Sequence, residues 1–252
     1  MQLPQPPLGS GRHPVSLVVI SANQLVASRT FYTTVFGWQI TPMSAELQAV
    51  VAPGGPPMAL RAGEPDGFPG IVPFLHVPDV DAMLQRVITA GGTIERAPWT
   101  IPTMGTLARF ADPSGTIYGL TNSVAPVTPT HVPMPLGSNP KPPANTICSL
   151  EMYARDDTSP QFFSSLFGFG TLPTMPSYVA FDVGTGIGGV YQSHTPALPA
   201  VPYIYVPDVA ATLVAVDAAG GARQGDAMHM PGMGTFGYFR DPSATTMGLI
   251  GP

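Results

Sequence analysis

Charge is scarce in this chain: only 10% of its 252 residues are Asp, Glu, Lys or Arg, against roughly 25% in an average soluble domain. Ten Lys plus Arg and a net charge of −5 leave no basic patch or run. Nucleic acid, an anionic membrane and a phosphate-rich substrate are therefore poor partners. A single cysteine, Cys148, excludes an internal disulfide framework and takes no side on redox compartment. No apolar run approaches the roughly 20 residues that cross a bilayer. The opening Met1-Gln-Leu-Pro-Gln-Pro-Pro7 is too rich in proline for a signal helix. These absences lead to the expectation of a cytoplasmic protein with neither membrane nor nucleic acid as partner.

What the chain does have is repetition. Val72-Pro-Phe-Leu-His-Val-Pro-Asp-Val80 recurs as Val201-Pro-Tyr-Ile-Tyr-Val-Pro-Asp-Val209, Ala90-Gly-Gly92 as Ala219-Gly-Gly221, and Asp112-Pro-Ser114 as Asp241-Pro-Ser243. The offset is 129 for all three, so no loop between Val72 and Ser114 changed length. Two long copies at a fixed period indicate duplicated domains and not a solenoid. With 44% hydrophobic residues, each copy can bury a core. The expected boundaries are an arm over 1–13, a first domain over 14–123, a proline-rich linker over 124–145 and a second domain over 146–252. Proline at the linker's density favours an extended, semi-rigid tether.

Within the first copy, Val15–Ile20 is β-branched and reads as a strand. Leu25, Val26, Phe31, Tyr32, Val35 and Phe36 form a helical stripe closed by Gly37. Short strands follow to Arg61, then a strand over Val72–Val77 and a helix over Val80–Ala90. Asp79 and Asp208 are placed as N-caps. Asp112-Pro-Ser-Gly115 predicts a hairpin turn, and Ala244, standing where the first copy has Gly115, should shift the turn type. Each half thus reads as β-α-β-β-β twice over.

Phe31-Tyr-Thr-Thr-Val-Phe-Gly-Trp38 and Phe162-Phe-Ser-Ser-Leu-Phe-Gly-Phe169 resemble the aromatic signature of the vicinal oxygen chelate superfamily, which includes glyoxalase I, bleomycin-resistance proteins and extradiol dioxygenases. The Val-x-Asp-Val junction, the Gly-Gly and the Asp-Pro hairpin match in the same order, twice. The resemblance implies an α+β fold: two tandem domains, each of paired βαβββ modules forming a curled mixed sheet around a cup that holds the ligand. Metal-dependent members take four ligands from His, Glu and Gln on cup-facing strands. Strand parity puts those positions near Ser16, Ala59, Pro73 and Gly119 in the first half, and Ser149, Gly189, Pro202 and Gly248 in the second. None is a donor of the kind Zn²⁺, Fe²⁺ or Ni²⁺ requires, so neither a metal nor another cofactor is expected.

Several residues remain as candidates for binding. His76 is read as pointing away from the cup. Glu151, in Glu151-Met-Tyr-Ala-Arg-Asp156, lies on the cup-lining face, opposite about Val18 of the first copy; it could hold a ligand amine or act as a base, or simply bond to Arg155 or to backbone. Trp99 and Ile101 precede the loop Pro102-Thr-Met104-Gly105, and His229 and Met230 precede Pro231-Gly-Met233-Gly234, at the cup mouths. Trp99, Met104, His229 and Met233 suit an apolar or aromatic ligand, with core filling as the plainer reading. Cys148 reads as buried packing, and Gly184–Gly189 as a strand turn. The first functional expectation is a metal-free protein, monomer or homodimer, that binds an apolar or aromatic metabolite or antibiotic. A glyoxalase-like lyase, isomerase or dioxygenase with a displaced metal is the alternative, and a regulatory protein with vestigial cups is a third.

Overall fold

The computed structural model describes residues 13–62, 70–102, 104–123, 141–175, 178–183, 186–193 and 200–252. Residues 1–12 of the arm, and residues 124–140 of the linker, lie outside the described residues. The first half runs β1 (Val15–Ser21), α1 (Leu25–Phe36), β2 (Gln39–Pro42), β3 (Leu47–Val51), β4 (Met58–Arg61), then β5 (Ile71–His76), α2 (Val80–Thr89), β6 (Thr93–Ile101), β7 (Gly105–Ala111), β8 (Ile117–Thr121). The second runs β9 (Thr146–Tyr153), α3 (Thr158–Phe167), β10 (Gly170–Met175), β11 (Tyr178–Asp182), β12 (Gly189–Gln192), then β13 (Ala200–Tyr205), α4 (Val209–Ala218), β14 (Ala222–Arg223), β15 (Met228–Met230), β16 (Gly234–Arg240), β17 (Thr246–Gly251).

Each half is one mixed sheet, ordered β2-β3-β4-β1-β5-β8-β7-β6 and β10-β11-β12-β9-β13-β17-β16-β14, with β15 paired to β16. The two modules of a half meet where β1 pairs antiparallel with β5, and β9 with β13. Modules therefore pair within a half. Local chemistry sets the helix ends: Asp79 accepts from the Ala82 amide and Asp208 from the Ala211 amide, each at 2.9 Å, and Gly37 takes the left-handed φ of 65° after α1. Among the described residues no helix is long and apolar enough to cross a membrane.

The aromatic signature packs where the halves join. Phe31 and Phe36 of α1 each lie 5.8 Å from Phe239 of the second half. Reciprocally, Phe162 and Phe167 of α3 flank Phe110 of the first half at 6.0 and 5.8 Å. One buried cluster runs continuously through both halves. Its polar fastening is equally reciprocal. The Asp112 carboxylate, at the tip of the β7–β8 hairpin, accepts from the Ser114 and Thr116 amides at 2.9 Å and from the Ser159 hydroxyl of the other half at 2.7 Å. Asp241 repeats this with the Ser243 and Thr245 amides, the Ser28 hydroxyl at 3.3 Å and the Tyr32 phenol at 3.1 Å. Burial nonetheless holds the Asp241 carboxyl above its ordinary pKa.

Ala244 does not shift the turn as its side chain suggested. Its amide bonds to the Asp241 carbonyl at 2.8 Å, as Gly115 does to Asp112 at 2.9 Å, and it adopts a φ of 65° to do so. A left-handed L-residue costs about 1–2 kcal/mol, partly offset by the freedom a glycine would gain in the unfolded chain. Urea denaturation of Ala244→Gly should therefore show a gain of up to about 1 kcal/mol. Asp241→Ala leaves two buried hydroxyls and two amides without their acceptor, and should lose about 2–4 kcal/mol in the same measurement.

Candidate functional site

The helices and the other half cover one face of each sheet, yet side chains of the opposite face are buried as well, because the sheet curls over them. On the first sheet this concave face carries Leu17, Val19, Ala59, Val72, Phe74 and Leu107, all buried in one cluster that Trp99, Ile101 and Met104 extend. On the second it carries Cys148, Val201, Tyr203, Tyr205, Phe236 and Ile250, extended by Met230, Met233 and Tyr238.

The observed register moves several expected positions by one residue. β1 and β9 each carry an irregularity at their start: after Val15 pairs with Leu75, Leu17 pairs with Phe74, and after Ile147 pairs with Ile204, Ser149 pairs with Tyr203. Phe74 and Tyr203 consequently face the cups, while Pro73 and Pro202 do not. His76, two residues beyond Phe74, shares the cup face by strand alternation, which corrects the outward orientation expected of it. Val19 pairs with Val72 as Glu151 pairs with Val201, so the counterpart of Glu151 is Val19 and not Val18. Ala59 and Val190 pair with Val19 and Glu151 respectively, and Val190 replaces Gly189 as the inward position.

The residues at the positions marked for metal are thus Leu17, Ala59, Phe74 and Gly119 in one cup, and Ser149, Val190, Tyr203 and Gly248 in the other. None supplies imidazole, carboxylate or thiolate. The aromatic rings also occupy the space: a Cβ on Gly119 would stand 2.1 Å from the Phe74 ring, and one on Gly248 2.5 Å from that of Tyr203. Among the described residues no group of three His, Cys, Asp or Glu is arranged to hold a metal ion. This donor set does not fit the metal that the fold family implies.

What the second cup holds instead is a carboxylate among phenols. Glu151 is 7% exposed and accepts from the Tyr203 hydroxyl at 2.8 Å. The Tyr238 hydroxyl lies 2.5 Å from that of Tyr203. The two phenols are hydrogen-bonded to each other, and Tyr238 also hydrogen-bonds the Glu151 carboxylate. Burial first, and the Glu151 charge second, push the Tyr238 phenol up to about 12 and that of Tyr203 far above its ordinary range. The same two causes raise Tyr178 on β11. Cys148 donates to the Tyr203 carbonyl at 3.5 Å, and burial pushes its thiol up to about 12. The thiolate is not accessible near neutrality, so Cys148 is no nucleophile.

The first cup supplies the control. Its counterparts of Glu151, Tyr178, Tyr203 and Tyr238 are Val19, Leu47, Phe74 and Arg109. Arg109 is buried and holds Glu95 through two nitrogens, at 2.5 and 3.0 Å. The five candidates from the sequence are accordingly not brought together. Trp99 and Met104 line the first cup, with the Arg96 guanidinium 4.0 Å over the Trp99 ring. Glu151 and Met233 belong to the second. His229 belongs to neither apolar cluster: its ring is exposed beside the Thr235 hydroxyl at 3.2 Å, while Met230 packs inward in its place. The tyrosines escaped notice, although the aligned repeats exchange Phe74 for Tyr203 and Arg109 for Tyr238.

The model for the Glyoxalase/Bleomycin resistance protein/Dioxygenase superfamily matches residues 15–117, and the second half repeats the same modules in the same strand order. The first half is thus a domain of that superfamily, and the whole chain shares the superfamily's fold. CFP32 of Mycobacterium bovis, which bears a provisional glyoxylase name, is 24% identical over 248 residues, 90% of each chain. The anthracycline biosynthesis protein DauV of Streptomyces sp. is 30% identical over 125 residues, 40% of this chain and 44% of that one. The Mn(II)-bound glyoxalase from Novosphingobium aromaticivorans superposes with a TM-score of 0.60 at 17% identity, covering 96% of this chain and 82% of its own. Homoprotocatechuate 2,3-dioxygenase from Arthrobacter globiformis does so with a TM-score of 0.66 at 15% identity, covering 99% and 84%. At these identities the superfamily structures establish the fold alone.

The site's electrostatics can be read by titration. Ultraviolet difference spectra should show Tyr238 ionising at about pH 12. In Glu151→Gln its pKa should fall but stay above 10, since burial is the larger cause. The folded state keeps these phenol protons after the unfolded chain has lost them at about pH 10. Stability is therefore unaffected below that pH and falls above it, by up to about 1.4 kcal/mol per pH unit for each raised tyrosine. Tyr32, Tyr118 and Tyr191, fully buried, add to the slope.

Proposed function

We propose that the chain is a metal-independent binding protein for a small apolar or aromatic molecule, seated in the second cup with Glu151 as its polar anchor. The observation that carries this reading is the difference between the two cups. A fold that needs only Val19, Leu47, Phe74 and Arg109 on one concave face has Glu151, Tyr178, Tyr203 and Tyr238 on the other. A buried carboxylate and its phenols are costly to desolvate, and the first half shows that the scaffold closes without them. Apolar walls with a few convergent polar groups are the usual make-up of a small-molecule site. The name of DauV, an anthracycline biosynthesis protein, is in keeping with an aromatic ligand.

Calorimetric titration with a panel of aromatic and lipophilic metabolites should find at least one ligand, while metal analysis of the purified protein finds no stoichiometric transition metal. Glu151→Val and Tyr203→Phe each install the residue the first half already carries at that place. Either should weaken the ligand roughly tenfold or more, as losing a buried charged or polar contact does. Silence across the panel, or a metal coordinated by the protein, would overturn the reading in favour of a displaced-metal lyase, isomerase or dioxygenase.

A further inference from the structure

The two joints between the halves share their carboxylates and differ in their phenols. We propose that the Asp112 joint encloses a binding site for one water molecule, which bridges the hydroxyls of Tyr118 and Tyr191 to the Asp112 Oδ2 atom. The site lies in the core between the halves and is independent of what either cup holds.

Two orphaned hydroxyls mark the place. Tyr118 is 0% and Tyr191 2% exposed, and among the described residues neither phenol oxygen has a hydrogen-bond partner. A buried hydroxyl left unpaired is unfavourable, and native interiors seldom keep one. Burial first, and the Asp112 charge second, raise both phenols, and Tyr191 adds to the rise at Tyr118. Both hydroxyls therefore lie within electrostatic reach of one carboxylate, and Tyr118 within reach of Tyr191, with no direct hydrogen bond among the three. The carboxylate can take a further donor. Its Oδ1 accepts from the Ser114 amide and hydroxyl and from the Thr116 amide. Its Oδ2 accepts, among the described residues, from the Ser159 hydroxyl alone, at 2.7 Å, whereas a carboxylate oxygen has about two lone-pair sites.

The Asp241 joint shows where an oxygen fits. There Tyr32, one helical turn after Ser28, has its hydroxyl 3.1 Å from Asp241 Oδ2 and 3.1 Å from the Met247 sulfur. In the Asp112 joint the residue one turn after Ser159 is Phe163, which has no hydroxyl. Tyr118 stands where the other joint has Met247, at the same offset of 129 that relates Asp112 to Asp241. Tyr191 of β12 stands where β4 has Leu60, since each follows the residue paired with Glu151 or Val19. The Phe163 ring touches both phenol rings, with centroids 4.7 Å from Tyr118 and 6.0 Å from Tyr191. An oxygen at the spot that Tyr32 fills would thus meet Asp112 and Tyr118, with Tyr191 beside the same Phe163 ring. Water supplies that oxygen. It accepts from the two phenols and donates to Oδ2, about the three hydrogen bonds that a buried water usually makes. One joint closes through a phenol of the chain, and the other through solvent held by two phenols.

High-resolution diffraction from crystals of the full chain should show an ordered water within hydrogen-bond distance of the Tyr118 and Tyr191 hydroxyls and of Asp112 Oδ2. Urea denaturation of Tyr118→Phe and Tyr191→Phe gives a second readout, because deleting a hydroxyl acts in opposite directions in the two cases. With the water bound, each variant loses a hydrogen bond and its unfolding midpoint should fall. With the hydroxyls merely orphaned, each variant sheds an unpaired polar group and its midpoint should rise. Phe163→Tyr should displace the water from the density, since its hydroxyl enters the place that Tyr32 fills in the other joint. The site is overturned by a map without that water, by phenols bonded directly to each other or to Asp112, or by midpoints that rise or stay unchanged. Water that persists at the phenols in Phe163→Tyr would also overturn it.

Discussion

Two buried carboxylates, one at each late hairpin, hold the halves of this molecule in register. Asp112 and Asp241 each tie down their own turn through two amides, then reach across to a helix hydroxyl of the other half, Ser159 and Ser28. A buried carboxylate is tolerable only when nearly every lone pair is met, and Asp241 shows how narrow the balance is: with Tyr32 added to its donors, burial still raises its pKa. The requirement is geometric. It fixes α1 against β16 and α3 against β7, and thereby directs Phe31, Phe36, Phe162 and Phe167 into a shared core. The residues that mark the family in the sequence are committed to joining the halves, and they do not touch the concave faces.

That division of labour explains how one scaffold carries two unlike cups. The convex side of each sheet must satisfy helices, hairpin and partner half together, and the copies match there at Phe31 and Phe162, Phe36 and Phe167, Phe110 and Phe239, and Asp112 and Asp241. The concave side answers only to shape and to the cost of burying polar groups. Phe74 and Tyr203 fill the same space over Gly119 and Gly248 and differ by one hydroxyl. A change of that size is nearly free for packing and decisive for chemistry, since the hydroxyl gains a partner only when Glu151 stands where the first copy has Val19.

Most of the fold was legible before the structure. The helix over Leu25–Phe36, the caps Asp79 and Asp208, the hairpins and the module order follow from periodicity, turn chemistry and an internal repeat that checks itself. The register of the central strands was not. Val15–Ile20 and Val72–Val77 are apolar at nearly every position because both faces are buried, and alternation carries no phase in such strands. One irregularity at the start of β1 or β9 then turns each later side chain to the other face. That slip placed Pro73 in the cup in place of Phe74 and turned His76 away from it. The polar cluster was legible in part. Glu151 stood out as an acid in an apolar strand, whereas its phenols, contributed from β11, β13 and β16, are neighbours only once the sheet has curled.

The contrast between the cups is finally one of charge accounting in a low-dielectric setting. In the first, Arg109 and Glu95 are opposite charges joined by two hydrogen bonds, and such a pair presents little net field to anything beyond it. In the second, the Tyr203 phenol donates to Glu151 and is itself hydrogen-bonded to the Tyr238 phenol. Burial first, and the Glu151 charge second, raise the phenols of Tyr178, Tyr203 and Tyr238 around the carboxylate. Duplication thus leaves one scaffold with a guanidinium–carboxylate pair in the first copy and a carboxylate hydrogen-bonded by a phenol in the second.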